Sequence, residues 1–126
     1  MAVSKIDNGL QDQINDLNSN ISKSANSLIT TGLTFSKCSY VRGGYCRIGN
    51  IIIIELRIKI TSGPNDWDYV ITGFPTTSGQ EIPLNLYDVN GYYIPGDIYN
   101  QGIRCTKSSN WTVNHEINIS GIYLTV

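Results

Sequence analysis

Histidine occurs once in this chain, at position 115, and the scarcity excludes most side-chain catalysis. A Ser-His-Asp or Cys-His arrangement would depend on that one imidazole. His115 stands between Val113 and Ile117 in a strand-like pattern, where a core or interface histidine is expected. No G-x-S-x-G elbow surrounds a serine. Charge is sparse too: 15% of residues are charged and the net charge is −1, so no electrostatic footprint for nucleic acid or an anionic membrane is present. The longest apolar run, Ile51 to Ile54, is too short to span a bilayer, and "MAVSKIDNGLQDQ" has no apolar signal core. A soluble protein made in a cytoplasm is the expectation. The three cysteines, Cys38, Cys46 and Cys105, form no CxxC and no Cys/His ligand spacing, so reduced and mostly buried thiols are expected, with no metal site and no cofactor. "DVNG" at 88–91 lacks the rest of a calcium-ligand series. The carboxylates Asp66, Asp68, Glu81, Asp88 and Asp97 are scattered over loops, and a small β domain gives little depth for two of them to face across a sugar. A protein that is not an enzyme is expected.

What is present divides in two. In "IDNGLQDQINDLNSNISKSANSLIT", residues 6–30, Leu10, Ile14, Leu17, Ile21 and Leu28 fall on a heptad seam, with Asp, Asn, Gln and Ser between them. Such a helix, about 24 residues and roughly 36 Å long, has a stripe too narrow to cover a globular core. It suits burial against copies of itself, so a homo-oligomer held by a parallel coiled coil is expected. Asp7 and Ser24 weaken both ends of the seam, and the attached domain is expected to set the stoichiometry. Gly32 in "TTGLT" reads as a helix stop and joint, dividing a coiled-coil segment (1–32) from a β domain (33–126).

From residue 33 onward the pattern alternates. Gly43-Gly44 reads as a hairpin turn between two short strands, and Asn90-Gly91 as a type I′ turn. "NIIIIELRIKIT" places Ile52, Ile54, Leu56, Ile58 and Ile60 on one face, yet Ile51 and Ile53 occupy the nominally wet one. A neighbouring subunit is expected to cover these two. In "WTVNHEINIS" Trp111, Val113, His115, Ile117 and Ile119 share a face, and the apolar phase then shifts past Gly121 to Ile122, Leu124 and Val126, which reads as a bulge or bend. Seven to nine short strands with no helix between them imply an antiparallel β-sandwich or small barrel.

The aromatic residues are the best candidates for function. Eight tyrosines and two tryptophans stand against two phenylalanines. Rings with a polar tip suit contact with sugars or proteins. Trp67, Tyr92, Tyr93 and Trp111, with Asp68 and Asn110 beside them in turns, form the candidate receptor or glycan site.

A short heptad helix, a glycine joint and a β head ending in its last strand resemble bacteriophage receptor-binding proteins and tail-fibre or capsid-fibre heads. "YVRGGYCRIGNIIIIELRIKIT", "FPTTSGQEIPLNLYDVNGYYIPGDIYNQGIRC" and "INISGIYLTV" are similar to successive runs of such heads. The resemblance implies a jelly-roll-like head on a trimeric coiled coil, located in the virion and synthesised in the bacterial host cytoplasm. It also implies non-catalytic attachment to host-surface polysaccharide or another receptor, with other virion proteins as partners. A structural decoration and a polysaccharide depolymerase are the alternatives.

Overall fold

Nine strands arrange into two antiparallel sheets in the computed structural model, which describes residues 9–16 and 28–126. One helix, α1, spans residues 9–16. Its eight residues are all exposed, Leu10 at 57% and Ile14 at 45%. Leu17 and Ile21 of the seam, and the coiled coil they would form, lie outside the described residues.

The four-stranded sheet runs β2 (Cys38–Ile48), β3 (Ile51–Ile60), β9 (Glu116–Leu124), β6 (Asn85–Asp88). The five-stranded sheet runs β1 (Thr34–Phe35), β4 (Tyr69–Thr72), β8 (Gly102–Cys105), β7 (Gly96–Tyr99), β5 (Ile82–Pro83). Strict alternation in β3 buries Ile52, Ile54, Leu56, Ile58 and Ile60. These side chains join Ile71, Ile98, Ile103, Ile117 and Ile119 in one core shared by both sheets. Phe74 and Leu84 seal it from the connecting loops.

Three sequence expectations are corrected by this arrangement. Gly43-Gly44 is not a turn: both glycines lie inside the continuous β2, and the chain reverses at Gly49-Asn50 instead. They are needed for close approach. A Cβ on Gly43 would meet the Glu55 carbonyl oxygen at 2.0 Å, and one on Gly44 would meet that of Ile29 at 2.4 Å. Ile29 exchanges two backbone hydrogen bonds with Tyr45, so the segment following the N-terminal region is already paired to the edge of β2.

Asn90-Gly91 does turn the chain, but with only Gly91 at positive φ (95°). The Gly91 N–H donates to the Asp88 carbonyl and the Asn90 N–H to the Asp88 carboxylate, closing a four-residue β-turn over 88–91 rather than a type I′ turn centred on Asn90-Gly91.

Nor does β9 bulge at Gly121. Its register with β3 is unbroken from Lys59↔Glu116 to Ile51↔Leu124. The apolar phase shift is therefore real: Tyr123 points inward, and Ile122 and Leu124 point out at 65% and 60% exposure.

All three cysteines are free and buried. Burial pushes the Cys38 thiol up to about 11 and the Cys105 thiol to about 12, which keeps both protonated and unreactive.

Candidate functional site

The hairpin β7–β8 turns through Asn100 and Gln101, with Asn100 in the left-handed region at φ 54°. Its pairing sets Asp97 opposite Arg104 and Tyr99 opposite Gly102, while Ile98 and Ile103 face the core. On the other side of β8, β4 places Tyr69 opposite Arg104. The outward face of the five-stranded sheet thus gathers Tyr69, Arg104, Asp97 and Tyr99.

Arg104 is the centre of this group. Its Nε donates to Asp97 Oδ1 at 2.9 Å and its Nη2 to Asp97 Oδ2 at 2.8 Å, a bidentate fork. Glu81 Oε1 lies 3.2 Å from the same Nη2. The guanidinium carbon sits 4.8 Å from the Tyr99 ring centre, 5.1 Å from that of Trp67 and 5.9 Å from that of Tyr69. Hydrogen bonds from Arg104 to Asp97 push the guanidinium pKa above its ordinary value, so it is a permanent cation. Gly102 is required beneath this cluster, because a Cβ there would approach the Tyr69 ring to 2.4 Å.

Trp67 is presented by the loop "PNDWD", and its own backbone is left-handed at φ 70°. Both neighbours pin that conformation. Asp66 accepts the Ser108 N–H at 2.6 Å. Asp68 accepts the Lys37 ammonium at 2.7 Å and the Asn65 N–H at 2.8 Å. The Ser108 bond holds the Asp66 carboxyl below its usual range, and the Lys37 bond does the same for Asp68. Trp67 stays 57% exposed, with one face over Arg104. The Glu81 side chain is 60% exposed. The result is a fixed aromatic surface with an open carboxylate at its edge. It can stack a sugar ring and accept hydroxyl hydrogen bonds. Two carboxylates around one guanidinium leave it unsuited to anions.

The other candidate residues lie elsewhere. Tyr92 and Tyr93 are exposed at 65% and 52%, and Tyr93 packs edge-on against Tyr87 with ring centres 5.9 Å apart. Asn110 donates to the Tyr93 carbonyl. Trp111 is a correction: it is 4% exposed, and its indole N–H donates to the Pro95 carbonyl at 2.8 Å. It plugs the core and is not available to a ligand. Asp68 positions Trp67 through its bonds to Lys37 and Asn65.

His115 is corrected as well. It stands before β9 rather than in a strand, half-exposed, with Nδ1 2.5 Å from Asp88 Oδ2. Burial alone would raise the Asp88 pKa, but the Asn90 N–H and His115 outweigh it and hold the carboxyl low. Asp88, Tyr92, Asn110, Thr112 and His115 line a small pocket of about 170 Å³.

Sequence reasoning missed Arg104, Tyr69, Glu81 and Asp97 as members of one group. The signal was available in "GDIYNQGIR", where a hairpin centred on Asn100-Gln101 sets Asp97 against Arg104. No protein-family model, curated protein or solved structure matches this chain.

Proposed function

We propose that this protein is the head of a homotrimeric bacteriophage fibre that holds a host-surface glycan without cleaving it. The observation that carries the binding half is the Trp67–Arg104–Tyr99 platform, in which an exposed indole is held in one orientation by ionic and hydrogen-bonded neighbours. A ring fixed before the ligand arrives loses little freedom on binding. The balance of charge around Arg104 favours neutral sugars over acidic ones.

The virion assignment rests on the resemblance of the layout: a seam residue set at Leu10, Ile14, Leu17, Ile21 and Leu28 ahead of a β head, with a jelly-roll-like topology as the finer expectation. Three shallow sites on one trimer gain roughly 10²–10⁴ in avidity over a single site. Binding of the full chain to a neutral-glycan array and to intact bacterial cells tests the reading. Trp67→Ala is expected to weaken binding at least about tenfold, a loss of about 1.4 kcal/mol per site. Unchanged binding in Trp67→Ala, or no host-dependent signal in the parent protein, overturns it.

A further inference from the structure

The outward face of the four-stranded sheet is unlike any other surface of the molecule. Cross-strand register lines up Ile48, Ile51 and Leu124 in one row, and Cys46, Ile53 and Ile122 in the next. Ile48, Ile51, Leu124 and Ile122 are 36%, 41%, 60% and 65% exposed, contiguous and purely aliphatic. No tyrosine or tryptophan interrupts these two rows, so the patch has neither a stacking ring nor a polar tip for a sugar. Patches of this kind on a soluble protein mark a protein contact.

Two observations identify the partner. The first is continuity. Leu28, the last residue of the heptad seam, is half-buried, and the Ile29–Tyr45 bridge next to it fixes it to the edge of β2. It lines a depression of about 570 Å³ on this same sheet face, beside Arg42, Glu55, Arg57, Asn118 and Ser120. Leu28, the end of the seam, and the aliphatic rows therefore share one sheet face, and Leu10 and Ile14 of α1 stand exposed in the single chain.

The second is charge. Beyond the aliphatic rows the face carries Arg42, Arg57 and Lys59 interleaved with Glu55 and Glu116. The mixed signs on this face let a second copy approach without a large build-up of one charge.

We infer that the aliphatic end of the four-stranded sheet is the surface on which heads of sister chains meet, its occupant being a second copy of this chain. The inference shares the oligomer with the proposed function and does not depend on glycan binding. A failed glycan array leaves it standing, and a failed mass measurement leaves the array result readable.

The test is sedimentation equilibrium of the full chain at micromolar concentration, with far-UV circular dichroism as the check on folding. The parent chain is expected at an integral multiple of 13.9 kDa. The double variant Ile122→Glu/Leu124→Glu is expected to raise the dissociation constant at least about tenfold. Ile122→Thr/Leu124→Thr, which keeps strand-favouring residues, is expected to do the same in part, and decides the matter if the glutamate variant unfolds. Val113→Glu, equally apolar in origin but placed off this sheet, is expected to change nothing. A monomeric mass for the parent chain overturns the inference. An oligomer whose mass is indifferent to both double variants also overturns it.

Discussion

The two sheets share one core but turn opposite surfaces to solvent. Outside β4, β8 and β7, every large group is tied: Arg104 to Asp97 and Glu81, three rings around the guanidinium, and the Trp67 loop by Asp66 and Asp68. Outside β3 and β9, Ile51, Ile122 and Leu124 have no directional partner at all. The first surface is held together within one chain. The second is incomplete within one chain, since aliphatic groups gain only by leaving water. Preorganised polarity and exposed hydrophobicity thus lie on opposite sides of the same core.

That contrast can be broken most forcefully at Arg104. Replacing it by Met leaves Asp97, 6% exposed, as a buried carboxylate without its cation. A loss of about 3 kcal/mol or more in urea unfolding is expected. Thr in place of Leu124, on the opposite sheet, is expected to cost within about 0.5 kcal/mol in the dissociated chain. Equal costs at both positions would erase the distinction between a locked and a bare face.

Gly44→Ala sharpens it from the other side. The added Cβ collides with the Ile29 carbonyl at 2.4 Å on a backbone at φ 155°. We expect a loss of more than about 1 kcal/mol, and faster amide exchange at Ile29 and Tyr45, as the segment bearing Leu28 lifts from β2. Unchanged exchange at those two amides would disconnect the seam from the sheet.

The smallest effect concerns acid. The Asp68 carboxyl has a pKa lowered in the folded state by Lys37. Its contribution is therefore complete above the unfolded pKa of about 3.9 and disappears as pH falls through the lower folded value. Lys37→Met is expected to lower the melting temperature slightly at pH 7, and the gap to the parent chain should close as falling pH protonates the Asp68 carboxyl. A gap that persists at low pH would assign Lys37 a packing role instead.

Much of this organisation was legible in the chain. The alternation of "NIIIIELRIKIT" gave the buried and exposed sides of β3 residue by residue, including the anomaly of Ile51 and Ile53. Trp67, Tyr92 and Tyr93 were legible as exposed rings because turn residues surround them. The same argument failed at Trp111, where a turn at the end of the core folds the indole inward onto the Pro95 carbonyl. Glycines misled in a consistent way. Gly43-Gly44 and Gly121 looked like local turn or bulge chemistry, yet each serves a contact far away in sequence: with Glu55, with Ile29 and with Leu84. A missing side chain has the same appearance in the sequence whether the cause is local or distant.

The amino-acid order alone determined which residues turn inward on the long strands and where several of the turns fall. These follow from periodicity and composition, which are local properties. Only the tertiary structure decided that residues 67, 69, 81, 97, 99 and 104 form one platform, and that Ile48, Ile51, Ile53, Ile122 and Leu124 form one patch. The reason is that strand register brings together residues far apart in the chain. Ile51↔Leu124 is a pairing that no window of neighbouring residues contains.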